Sequence, residues 1–122
     1  IKFAWIVNSN DGLDEISPYD KTIVKQLRNG EINEVVIDPK ELNVNAEGFD
    51  KIVGNDAKFN SKKIIDIFKG NDNDFSKAVS LNAAAGLIIS ERENNFKYAY
   101  QKARDHLLSG KTYLHLENLR NV

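Results

Sequence analysis

The sequence contains no cysteine. That excludes a disulfide framework, thiolate chemistry and any zinc–thiolate centre. It has only two histidines, His106 and His115, each in a helix-like segment. Neither has a carboxylate or a second histidine at metal-ligand spacing, so packed or solvated roles are expected for both. An excess of charge of one sign is also lacking. Seventeen Lys and Arg against 18 Asp and Glu give a net charge of -1. A general electrostatic hold on nucleic acid or an anionic membrane has no support in that balance. No apolar run approaches the length that spans a bilayer, and no signal-peptide pattern opens the chain. A cytoplasmic setting is therefore expected, with neither nucleic acid nor membrane as partner. Methionine is absent too. Ile1 leads straight into strand-like sequence, whereas domain termini are usually exposed and loosely ordered. The expectation is that residues 1–122 are the tail end of something longer.

What remains is ordinary globular material. The chain has 122 residues, 41% of them apolar and 29% charged, which fits one domain with a modest core. Phe3 to Val7 is a near-continuous apolar run, suited to a strand buried on both faces of a helix-covered sheet. Trp5 is read as core packing. Thr22 to Arg28 and Glu31 to Ile37 are strand-like and joined by Asn29-Gly30, the strongest short hairpin signal. That turn sets Arg28 opposite Glu31, Leu27 opposite Ile32, Lys25 opposite Glu34 and Ile23 opposite Val36. These are two opposite-charge pairs and two apolar pairs.

Asp38-Pro39 ends the second strand, and residues 40–56 read as an irregular connection. A helix is expected over Lys58 to Lys69, capped by Asp56 or Asn55. Its stripe would be Ile64, Ile65 and Phe68, and Gly70 its stop. Asn71-Asp72-Asn73-Asp74 offers oxygen ligands but fails the EF-hand pattern. Counted from Asp72, the required glycine and glutamate are Lys77 and Ala83. Asp74 as a helix N-cap is the better reading. Phe75 to Ile89 is apolar around most of its circumference, as a central buried helix would be. Ala83-Ala84-Ala85 and Gly86 would allow close approach of a neighbouring backbone. Asn82, inside this run, needs a hydrogen-bond partner, and a structural role is favoured over a ligand role. Asn95 to Leu108 is an amphipathic helix. Lys111 to Arg120 is a last short helix with Tyr113, Leu116 and Leu119 inward.

The chemistry-bearing candidate is the loop after the first strand, Asn10 to Ser17. It carries two adjacent carboxylates, Asp14 and Glu15. Strand ends and the loops that follow them are where open α/β folds place ligands. On spacing alone the pair is either a solvated turn or a magnesium site. Mg²⁺ keeps several waters and is usually held by one or two carboxylates plus substrate phosphates. No Walker A motif and no glycine-rich phosphate fingerprint occurs elsewhere in the chain.

The stretch Asp11-Gly12-Leu13-Asp14-Glu15-Ile16-Ser17 closely resembles the acidic loop of the anthranilate phosphoribosyltransferases. The likeness continues through Asn29-Gly30-Glu31-Ile32, Ile37-Asp38-Pro39, Val53-Gly54-Asn55-Asp56 with Asn60, Leu81-Asn82-Ala83-Ala84-Ala85 and Ser109-Gly110-Lys111. It implies an α/β fold of the nucleoside phosphorylase/phosphoribosyltransferase type. That fold would have a mixed sheet with a β-hairpin at about residues 22–37 and about four helices. The family transfers phosphoribosyl from phosphoribosyl pyrophosphate to anthranilate in tryptophan biosynthesis, with Mg²⁺ on the Asp-Glu pair, and its members are typically homodimers. Asp14 and Glu15 inherit the metal role. The sequence departs from the family at Asn8-Ser9, where His-Gly is common. It also lacks the family's N-terminal helical domain and glycine-rich pyrophosphate loop. Residues 1–122 are therefore expected to be a single partial domain, the C-terminal third of the enzyme, inactive by itself. The alternatives are a non-catalytic interaction domain derived from this family and, third, a nucleic-acid-binding relative.

Overall fold

The computed structural model describes residues 1–122. Three strands come first, β1 (Phe3–Ser9), β2 (Thr22–Arg28) and β3 (Glu31–Ile37). Four helices follow: α1 (Ala57–Phe68), α2 (Asp74–Ile89), α3 (Phe96–Leu108) and α4 (Lys111–Arg120). A single 3-10 turn, Phe49–Lys51, interrupts the long connection between β3 and α1.

The hairpin has the expected register. Arg28 faces Glu31, Leu27 faces Ile32, Lys25 faces Glu34 and Ile23 faces Val36. Asn29 and Gly30 both hold positive φ, 52° and 88°, as a type I′ turn requires. Strand β1 adds antiparallel to β2, with Val7 opposite Val24 and Ser9 opposite Thr22, so the sheet order is β1-β2-β3. Period-two alternation then separates the faces. Thr22, Val24 and Ile37 point into the core, and Ile6, Ile32 and Val36 point out.

One face of β1 therefore differs from the expectation of a strand buried on both sides. Ile6 is 75% exposed, because the helices of this chain cover only the other face of the sheet. Trp5 lies on that covered face. Its ring packs 6.0 Å from Phe96, and its Nε1 donates to Gln26 Oε1 at 2.9 Å.

Helix α2 carries the core. Leu81, Ala84 and Ala85 cluster with Ile16, Val24, Ile37 and Val44 on one side and with Ala99 and Tyr100 of α3 on the other. Asn73, not Asp74, is its N-cap. Asn73 has extended backbone angles, its side chain accepts from Ser76 N, and Ser76 Oγ accepts from Asn73 N. This reciprocal capping box leaves Asp74 as the first helical residue, free to turn inward. The helix is also less enclosed than its composition suggests. Val79, Ala83 and Gly86 face solvent, and a Cβ at Gly86 would meet nothing within 4 Å. The close approach is made by Ala84 and Ala85 instead.

Helix α1 is capped by Asp56, which accepts from Phe59 N at 2.7 Å. Its buried residue is Ile67, while Ile64 is 42% exposed. In α4, Tyr113 and Leu116 are half-buried, but Leu119 points outward and no residue is fully buried. The short helix lies on the surface with only one flank covered. At the end of α1 the chain turns through Gly70 (φ 98°), where a Cβ would stand 2.5 Å from the Leu108 carbonyl oxygen. Gly70→Ala therefore combines a left-handed backbone with a clash against main chain. It should cost about 2 kcal/mol, read as a lower urea midpoint with unchanged slope.

Candidate functional site

The loop after β1 is held by its own short side chains. Ser9 N donates to Leu13 O at 2.9 Å and Asn10 N to Lys21 O at 2.9 Å. Gly12 takes φ 92° to make the bend, with its N–H on Ser9 O. The Asp11 carboxylate accepts from Leu13 N at 3.2 Å and from Ser17 Oγ. Burial opposes ionisation of Asp11. The hydroxyls of Ser17 and Ser9 and the backbone N–H groups of Leu13 and Asp11 outweigh it, and its pKa is held below the ordinary value. Ser17 Oγ also accepts from Tyr19 N at 2.9 Å, and Ser17 N donates to Thr22 Oγ1 at 3.1 Å.

Helix α2 holds the same loop from below. Asn82 Oδ1 accepts from Ile16 N at 3.0 Å, while Asn82 Nδ2 donates to Ile16 O at 3.1 Å and to Ala78 O at 3.0 Å. This meets the requirement that Asn82 find a partner. Two turns earlier, the buried Asp74 is a hub. Its carboxylate accepts from Glu47 N (2.7 Å), Gly48 N (3.2 Å), Tyr19 Oη (3.1 Å) and Lys77 Nζ (2.9 Å). Burial again opposes its ionisation, but these donors, Lys77 foremost, lower its pKa. Burial and the Asp74 charge push the Tyr19 phenol well above its usual range.

Asp14 and Glu15 are exposed, and neither forms a side-chain hydrogen bond or an ion pair. Of residues 9–17, they alone make no hydrogen bond. Two negative side chains thus project from a braced loop with no cation opposite them. Glu15 and Leu13 also edge a hollow of about 420 Å³ shared with Ile52, Ile64, Phe75 and Asn82. No cluster of three or more His, Asp, Glu or Cys with metal-binding geometry occurs. The donor set is thus too small to enclose a cation but fits Mg²⁺, which takes few carboxylates and fills its shell with water and phosphate oxygens. His106 and His115 are exposed on α3 and α4, and neither joins a metal-binding group.

Sequence reasoning did not identify Asp74 as a structural hub. The Asn73-x-x-Ser76 spacing was the available signal, since it assigns the cap to Asn73. Asn60 was also missed as a brace. It grips Asn55 much as Asn82 grips Ile16, accepting from Asn55 N at 2.9 Å and donating to Asn55 O at 3.0 Å.

The model of the glycosyl transferase family a/b domain matches residues 1–113. The anthranilate phosphoribosyltransferase of Pelagibacter ubique (strain HTCC1062) is 64% identical over 122 residues, covering 100% of this chain and 37% of that protein. The crystal structure of the Thermus thermophilus anthranilate phosphoribosyltransferase superposes with a TM-score of 0.84 at 23% identity, covering 95% of this chain and 34% of that one. The Saccharomyces cerevisiae anthranilate phosphoribosyltransferase in complex with PRPP and Mg gives a TM-score of 0.78 at 24% identity, covering 93% and 33%. The chain spans about a third of the length of the proteins it matches. No helix is long and apolar enough to cross a membrane.

Proposed function

We propose that this chain, which belongs to the glycosyl transferase family through its a/b domain, is the C-terminal portion of an anthranilate phosphoribosyltransferase. Its Asp14-Glu15 pair holds the Mg²⁺ that accompanies the pyrophosphate of the donor. The observation that carries the reading is the pair itself: two unpartnered carboxylates on a loop braced on both sides. In the reaction, the ribose C1–oxygen bond breaks and its electron pair leaves on pyrophosphate. The anthranilate amine forms the new C1–N bond and gives up a proton. Bound magnesium offsets the charge on the departing pyrophosphate. Asp14 and Glu15 hold that charge compensation at one edge of the site, and Ile16 and Leu13 fix where the two side chains start. No residue of the loop acts as a nucleophile, so positioning and electrostatics carry the contribution of this segment.

On this reading residues 1–122 form one partial domain. The N-terminal portion supplies the glycine-rich pyrophosphate loop and the anthranilate site, and the complete enzyme is a cytoplasmic homodimer. The test is a transferase assay on this chain, alone and mixed with the N-terminal portion of the Pelagibacter relative. Anthranilate fluorescence is followed with phosphoribosyl pyrophosphate and Mg²⁺ present. Turnover only in the mixture is expected. Stable association of the two portions without turnover would favour a non-catalytic domain of the same descent.

A further inference from the structure

We infer that Asn82 is a positioning residue for the metal loop, acting through the Glu15–Ile16 peptide plane. The inference rests on the metal reading of Asp14 and Glu15 and extends it to a residue that never touches the ion. Ile16 N belongs to the same peptide plane as the Glu15 carbonyl. By accepting from Ile16 N and donating to Ile16 O, Asn82 grips one residue at both of its polar groups. A peptide plane held at that point sets ψ of Glu15, and with it the direction in which the Glu15 side chain leaves the loop. The grip is rigid because Asn82 is itself held. Its second N–H donates to Ala78 O one turn back on α2, so both of its amide hydrogens are engaged. Ile16 is 1% exposed, so in the folded chain its N–H and C=O rely on Asn82 for their partners.

The other end of the loop is tied differently, through Asp11, Ser9 and Gly12. Asp14 and Glu15 hang between these two anchors. Helix α2 also fixes Tyr19, beyond the loop, through Asp74. One rigid helix therefore sets the exit of the acidic loop at two points about two turns apart. Groups that orient metal ligands without touching the metal typically change affinity 10- to 100-fold when removed.

The test uses the full-length polypeptide carrying this segment, with Mn²⁺ as the probe and its free concentration read from the electron paramagnetic resonance signal. Asn82→Ala should weaken Mn²⁺ binding about 10-fold. Asn82→Gln keeps the carboxamide but sets it one methylene too far, and should weaken binding too. Ile67→Val serves as the control, because it loosens the core in α1 without touching the loop. It should leave Mn²⁺ affinity unchanged even if its melting temperature falls as far as that of the Asn82 variants. Either folded Asn82 variant binding Mn²⁺ within twofold of the parent overturns the positioning role while leaving the metal loop intact. A parent that binds no more Mn²⁺ than the Asp14→Asn, Glu15→Gln double variant overturns both.

Discussion

Replacing Asp14 with Asn and Glu15 with Gln in the full-length polypeptide should lower phosphoribosyl transfer by about 10²- to 10³-fold, the usual cost of removing one preorganised electrostatic element. The amides keep the shape of both side chains and remove both charges. Neither carboxylate makes a hydrogen bond or an ion pair within the chain, and both are exposed. The fold should therefore not register the change, and stability should stay within about 0.5 kcal/mol of the parent. A loss of rate with an unshifted melt separates a metal role from a structural one. The single variants should each lie between the parent and the pair, and raising Mg²⁺ should recover part of their activity. Transfer within threefold of the parent for the double variant at limiting Mg²⁺ would sink the assignment.

The features that sequence made legible are those decided by neighbouring residues. Asn29-Gly30 demands positive φ twice, so the turn type follows, and the turn type alone fixes the pairing from Arg28–Glu31 to Ile23–Val36. Helix ends were legible for the same reason, through Asp56 and Gly70. Features that depend on distant chain were not. Asn82 visibly needed a partner, but nothing local says that it is Ile16, 66 residues earlier. Asp74 and Asn73 are both good caps, and only the Ser76 reciprocity decides between them, after which Asp74 is free to collect donors from residues 19, 47, 48 and 77. The apolar runs of β1 and α2 show that two faces can be buried, not what buries the second one. Ile6 and Val79 are exposed because this chain supplies cover on one side only. For the acidic loop, composition gave two adjacent charges. That they have no partners, while every neighbour from Ser9 to Ser17 does, is a property of the folded loop.

Asp74→Ala should be the most damaging single change to stability. The residue is 3% exposed, and its carboxylate accepts four hydrogen bonds. Two come from the backbone of Glu47 and Gly48 in the long connection, one from Tyr19 and one from Lys77. Removing it leaves an ammonium, a phenol hydroxyl and two main-chain donors without their acceptor. Losing one partner of a buried pair costs about 3–5 kcal/mol. The Lys77 side chain is 16% exposed and can reach water in part, so a value of about 3 kcal/mol is expected, a large fraction of the stability of a domain this size. Asp74→Asn keeps one acceptor oxygen for Glu47 N, Gly48 N and Tyr19 Oη but loses the charge and the oxygen that accepts from Lys77 Nζ, so it should fall between parent and Ala. The two variants also differ from the parent in pH response. The folded-state pKa of Asp74 lies below its ordinary value of 3.8. The folded state therefore binds this proton more weakly than the unfolded chain does. The stabilisation is complete above the unfolded-state value and is lost as pH falls through the folded-state value. Urea midpoints of the parent should thus drop as pH is lowered below about 4. Asp74→Asn should follow a shallower line, from which the Asp74 contribution is missing and that of Asp11 remains. Parallel pH profiles for the two proteins would mean that the Asp74 charge does not stabilise the fold. In that case the connection carrying Glu47 and Gly48 must be held by the Asp74 hydrogen bonds alone.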